Sequence, residues 1–150
     1  MTMSTNTADA MASAETMASI ETHAAAESDV RATVLDYFEG WFDGDVERMT
    51  RALHPELAKR SWAQDPGSMP VLRTTTAEQM VWFTQQGEGR TSDPAERELS
   101  VEVVEVSDGI ATVVVHSYMY VDYLHLAATR EGWRIVNALW RYVDGRRPNA

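Results

Sequence analysis

Cysteine is absent from the 150 residues, which excludes disulfides, thiolate catalysis and Cys-ligated zinc or iron–sulfur clusters and leaves the redox compartment open. Positive charge is scarce: 13 Lys and Arg stand against 23 Asp and Glu, a formal net charge of -10. Such a chain repels a phosphate backbone, and no basic stripe interleaved with aromatics offsets the repulsion, so nucleic acid is excluded as a partner. No apolar run approaches the roughly 18 residues that a membrane span needs, so no membrane partner is expected. A Gly-rich phosphate loop, a G-x-S-x-G elbow and a Cys–His pair are missing too, which leaves nucleotide hydrolysis and covalent acyl transfer without machinery.

What remains is a globular composition, 44% hydrophobic with five Trp and five Tyr, in a chain long enough for one self-supporting core. The charge is uneven. Residues 1–29 hold five acids (Asp9, Glu15, Glu21, Glu27, Asp29) and no base, so the remainder carries 18 acids against 13 bases. Residues 11–28, "MASAET MASIET HAAAES", form a degenerate six-residue repeat of small residues. This leader lacks both the basic start and apolar core of a secretory signal and the Arg of a presequence, which makes the cytoplasm the expected location. With no wide apolar stripe it reads as frayed helix or disorder, and His23 within it carries no chemistry. The expected organisation is a leader at 1–28, a domain at 29–143 and a short tail at 144–150.

From Val30 the pattern turns helical: Val30, Val34, Tyr37, Phe38, Trp41 and Phe42 share a wide apolar face, with Ser28 and Asp29 as cap and Gly44 as stop. Asp45 caps a second short helix whose Val46, Met49 and Leu53 share a face and which ends at His54-Pro55. "ELAKRSW" at 56–62 reads as a short strand, followed by a Gly- and Pro-rich loop up to Val71. Thr76 and Gln79 form a capping box that opens a third helix. From Glu98 the period becomes two, predicting a meander of three long antiparallel strands: "ELSVEVVEV", "IATVVVHSYMYVDYLHLAAT" and "WRIVNALWRYV". The order predicts an α+β fold with helices packed on one face of a curved sheet.

In the last strand, strict alternation puts Trp133, Ile135 and Leu139 on one face and Val136, Ala138, Trp140 and Tyr142 on the other. Helices cover only one face, so the second apolar face predicts a homodimer.

"LDYFEGWFDGDVERMTRALHPELAKR" and "VDYLHLAATREGWRIVNALW", in that order and spacing, resemble the nuclear transport factor 2-like superfamily, and within it the SnoaL-like, "putative lumazine-binding" group. The resemblance covers about Asp29 to Val143. It implies a cone-shaped α+β barrel with a deep pocket between the first helix and the curved sheet, dimeric, and hosting many unrelated activities. It also implies cofactor-free chemistry by a pocket Asp or His, with Tyr or acid donors to a developing oxyanion.

Asp122 lies in mid-strand, where a buried carboxylate is costly unless it sits at an edge, has a partner or borders a cavity. As a general base, or a donor if protonated, it needs a pKa raised by desolvation. Its structural alternative is a cross-strand pair: with a two-residue turn it faces Arg141, with a three-residue turn Trp140. His125 has the opposite parity, whereas His116, Tyr118 and Tyr120 share the parity of Asp122 and mark the expected pocket face. Asp122, His54 and Tyr120 are therefore the candidate catalytic residues. His54 is either a helix-terminal cation or a group at the pocket mouth. Tyr37, Trp41, Trp62, His116, Tyr118 and Asn137 are the candidate ligand contacts, Asn137 needing a partner in the pocket or across the sheet. Strand parity keeps His116, Asp122 and His125 from converging on a metal, so none is expected, and no cofactor either.

Three functions follow from these residues. The first is a cofactor-independent isomerase, cyclase or dehydratase acting by proton transfer on an apolar, ring-containing metabolite. The second is a non-catalytic binder of a flat aromatic, pterin- or lumazine-like ligand, and the third a dimeric interaction module. An ionisable group with a partner inside the cavity distinguishes the first.

Overall fold

The computed structural model describes residues 6–63 and 71–146. The first five leader residues, the end of the C-terminal tail and the expected Gly- and Pro-rich loop before Val71 lie outside them. Helix α1 (Asn6–Asp43) is followed by α2 (Val46–Ala52), strands β1 (Leu53–Ala63) and β2 (Val71–Thr75), α3 (Ala77–Gln85), then β3 (Leu99–Ser107), β4 (Ile110–Ser117), β5 (Tyr120–Thr129) and β6 (Gly132–Tyr142). The six strands form one sheet in the order β2-β1-β6-β5-β4-β3. All pairs are antiparallel except β1 with β6, which makes the sheet mixed where pure antiparallel pairing was expected.

The apolar stripe of α1 falls where its period places it: Val30, Val34, Tyr37, Phe38 and Phe42 are buried. Full burial stabilises by about 1.5–3 kcal/mol for each such side chain. Ser28 and Asp29 do not cap this helix, because it begins at Asn6 and runs through them, with exposed side chains over residues 7–25. Asp45 caps α2 by accepting from the Arg48 N–H, and Arg48 and Arg51 both bond Asp36, tying α2 back to α1. The capping box of α3 forms as its spacing predicts. Arg31 donates to the Val101 carbonyl at 2.9 Å and Thr33 to that of Trp133 at 3.2 Å, anchoring α1 across the sheet.

Two local events reset the strand parity. The long run from Ile110 breaks at a tight turn, in which Ser117 Oγ bonds both the N–H and the carbonyl of Tyr120, giving two strands where one was expected. In the resulting register Val115 pairs with Asp122 and His116 with Val121. The second event is a β-bulge: His125 pairs with Asn137 but Leu126 with Ile135, leaving Val136 as the extra residue. Ile135 therefore joins Ala138, Trp140 and Tyr142 on the helix-covered face, and the expected division of β6 into two apolar faces is corrected.

Candidate functional site

Under α1 the sheet leaves a hollow of about 230 Å³, enough for roughly seven waters at ~30 Å³ each. Its floor is one row of the inner sheet face, in which Trp140 pairs with Asp122 and Asp122 with Val115. Tyr37, Phe38 and Trp41 of α1 roof it, Phe83 and Glu88 close one side, and Lys59, Tyr120 and Tyr142 complete the wall. Aromatic edges stabilise the arrangement: Tyr120 and Trp140 meet edge to face at 5.2 Å between centroids, and Trp140 and Tyr142 at 5.0 Å. Gly89 lies flat against Trp41, so that a Cβ built there would overlap the indole.

Asp122 is the centre of the polar chemistry. It is 2% exposed, and its Oδ2 has no hydrogen-bond partner among the described residues. Burial pushes its carboxyl up to about 6, with the Lys59 charge pulling the other way. Lys59 is also buried, and burial pushes its ammonium down to about 8 against the opposing pull of Asp122. Lys59 Nζ donates to Tyr37 Oη at 2.6 Å and to Met80 Sδ at 3.4 Å, lying 5.3 Å from the Tyr37 ring centroid and 5.4 Å from that of Trp140. Burial raises the Tyr37 phenol well above its ordinary value. It pushes Tyr120 up to about 12, with Tyr142 and Asp122 adding repulsion and a hydrogen bond from Trp41 opposing. Around neutrality the hollow thus holds a carboxylate, an ammonium and two protonated phenols.

Of the residues expected here, Asp122, Tyr120, Tyr37 and Trp41 converge on the hollow. Asp122 has no cross-strand cation: Arg141 pairs with Val121 and lies near Asp144 at 3.8 Å. The turn falls at Arg130-Glu131, two positions of register away from a Glu131-Gly132 turn, and the bulge restores one of them, so Trp140 stands opposite Asp122. His116 does not share the face of Asp122 as parity along one strand implied; the turn after Ser117 leaves it exposed on the opposite face. Asn137 is on that outer face too, its amide nitrogen 3.4 Å from His125 Nδ1. His54, the second residue of β1, is not among the residues lining the hollow, and its Nδ1 accepts from the Glu56 N–H at 3.0 Å. Tyr118 stacks under the Arg146 guanidinium at 3.5 Å. Trp62 is half exposed and borders an open depression with Arg73, Trp140 and Tyr142, outside the closed hollow. Among the described residues no group of three His, Asp or Glu could hold a metal.

Phe38, Lys59, Phe83, Glu88, Trp140 and Tyr142 also line the hollow and were not among the candidates from the sequence. For Lys59 a signal existed: twelve of the thirteen basic residues are Arg, and Lys59 is the single lysine of the chain.

The model of the family described as "Putative lumazine-binding" matches residues 25–141, which span both the roof and the floor of this hollow. The chain belongs to this family. Among curated proteins none matches. Solved structures share the fold at low identity. A nuclear transport factor 2-like protein of unknown function from Silicibacter pomeroyi is 18% identical with a TM-score of 0.61, over 83% of this chain and 98% of the other. One from Shewanella baltica, also of unknown function, is 11% identical with a TM-score of 0.58, over 79% and 94%. A nuclear transport factor 2-like protein with a cystatin-like fold from Novosphingobium aromaticivorans is 15% identical with a TM-score of 0.57, over 86% and 89%. This member of the "Putative lumazine-binding" family therefore has the nuclear transport factor 2-like α+β fold, and no helix among its described residues is long and apolar enough to cross a membrane.

Proposed function

We propose that this family member binds a flat, apolar, ring-containing small molecule in the hollow and transfers a proton on it through Asp122, without a cofactor. One observation carries the reading: a buried carboxylate with an unpartnered oxygen is one of the residues lining an aromatic-walled hollow, in the same wall as a buried ammonium whose charge acts on it. An acid held near about 6 is poised for both halves of a proton transfer near neutrality. Tyr120, which stays protonated, is the donor to a developing oxyanion, and Tyr37 and Trp41 hold the ring. Residues 29–143 form the working domain, with 1–28 a leader and 144–150 a tail, and the cytoplasm is its setting. His54, His116, Asn137, Tyr118 and Trp62 have no part in the chemistry of this reading.

The test is a thermal-shift screen against pterins, flavins, steroids and polyketide-like aromatics, followed by solvent-deuterium exchange into any ligand that binds. Asp122→Asn is expected to keep the rise in Tm and to abolish exchange; exchange that survives the substitution refutes the assignment. The second reading, a non-catalytic binder, is favoured by the seven aromatic rings of the wall, and binding without exchange in the wild type supports it.

The homodimer belongs to the same proposal. Across the outer face run Arg60, Leu139, Tyr123, Val114 and Glu102, each paired with the next. Leu139 and Tyr123 are about half exposed, and a two-fold through this row sets the Arg60 end against the Glu102 end. Light scattering at micromolar concentration is expected to give a dimer, and Tyr123→Glu a monomer; a wild-type monomer rejects the interface.

A further inference from the structure

Lys59 takes no bond-making part in the proton-transfer reading, yet its amine is the most unusual group among the described residues. It is the single lysine, it is buried, and its Nζ sits between the Tyr37 and Trp140 rings in the wall of the hollow. Buried lysines are rare unless paired, and twelve arginines elsewhere show no general need for lysine. A planar, permanently charged guanidinium holds an anion; a primary amine can also lose its proton and attack carbon. The groups around it suit the second use. Asp122 lines the same hollow as a proton carrier, the Tyr37 phenol accepts from Nζ, and both Tyr37 and Tyr120 stay protonated and so do not compete for its charge. Glu88 and Tyr142 are the other titratable groups of the wall.

We infer that Lys59 is a nucleophilic amine that captures an aromatic aldehyde or ketone in the hollow as an imine. The carbonyl carbon forms a bond to neutral Nζ while the oxygen takes a proton and becomes the hydroxyl of a carbinolamine. That hydroxyl takes a second proton and leaves as water as the C=N bond forms. Both protons derive from the amine, relayed by Asp122, so the balance is carbonyl plus amine to imine plus water, and hydrolysis restores both. The desolvated ammonium supports this use: at about pH 7.5 a group of pKa about 8 is neutral roughly a quarter of the time, about two hundredfold more than an exposed lysine. Protonated, the imine acidifies the adjacent C–H bond, which supplies the kind of proton Asp122 is proposed to remove. The inference rests on the hollow being a ligand site, but not on Asp122 removing a proton from the ligand.

The whole chain is incubated with benzaldehyde and sodium cyanoborohydride at about pH 7.5, and the product is analysed by intact mass and peptide mapping. Lys59 is expected to gain one benzyl group at least about fiftyfold faster than N-acetyl-lysine amide treated alongside, with the chain's amino terminus as internal reference. Lys59→Arg is expected to confine the adduct to the amino terminus; should that variant not fold, the wild-type peptide map decides alone. An adduct found only at the amino terminus, or Lys59 reacting at the rate of the free amine, overturns the inference. Benzaldehyde that raises Tm without reductant but leaves Lys59 unmodified also overturns it, while the ligand-site reading stands. Failure of that reading shows separately, as no Tm shift across the ring-ligand panel.

Discussion

Asp122→Asn is nearly isosteric, so it isolates the electrostatic cost of the buried carboxylate from packing. The wild-type carboxyl has a folded pKa of about 6 against an ordinary 3.8. Because the folded value is the higher one, protonated Asp122 favours the native state, and that stability is lost as pH rises from about 4 through 6. Integrating the two titrations between about pH 4 and about pH 6.5 gives about 2 kcal/mol of destabilisation that Asn cannot show. Other carboxylates oppose this slope. Asp36, held below its ordinary value chiefly by the Arg51 hydrogen bond, stabilises the fold above the ordinary carboxylate range, and this is lost as pH falls. The readout is therefore the difference between wild type and variant, measured by urea unfolding across that window. The variant is expected to gain about 1 M in midpoint on the wild type between the two ends, for an m-value near 2 kcal/mol/M. A difference constant with pH would show that Asp122 titrates in the folded state as it does in the unfolded one, as a solvated carboxyl does, and the account of the hollow would fail.

Three further outcomes follow from the same structure. Lys59→Met removes the charge that holds Asp122 down, so the carboxyl is expected to titrate above about 6, followed by carboxyl-carbon NMR; an unchanged or lower value contradicts the pairing. Gly89→Ala forces a methyl into the Trp41 indole and is expected to cost about 1–3 kcal/mol, with altered tryptophan fluorescence and weaker ligand shifts; wild-type stability would place the indole elsewhere. Thr76→Ala removes the α3 capping box and is expected to lower stability by about 1 kcal/mol in chemical unfolding, leaving the Asp122 titration unmoved.

The helices were legible because their signals are local: the stripe from Val30 to Phe42, the Asp45 cap and the Thr76–Gln79 box each act within a few residues. Which face a strand residue occupies depends on counting by twos without error, and that count fails at any irregularity. The turn after Ser117 removed His116 from the pocket face, and the extra residue at Val136 moved Ile135 across the sheet. Asp122, which follows the turn and precedes the bulge, faces inward. Lys59 escaped notice because β1 joins β6 in parallel, a long-range pairing that no spacing in "ELAKRSW" announces. Once that pairing is known, the small Ala138 between Lys59 and Leu124 on the inner face explains how a long side chain reaches the floor.

A single, buried lysine also leaves the outside of the molecule without side-chain amines. Amine-directed cross-linkers and dyes too large to enter the hollow then have only the amino terminus to grip on the native protein. An experiment that fails to link two subunits with such reagents would say nothing about whether they associate, whereas carboxyl-directed coupling has abundant handles. The same poverty makes labelling of the lysine by a reagent too large for the hollow a direct report on how often the hollow opens.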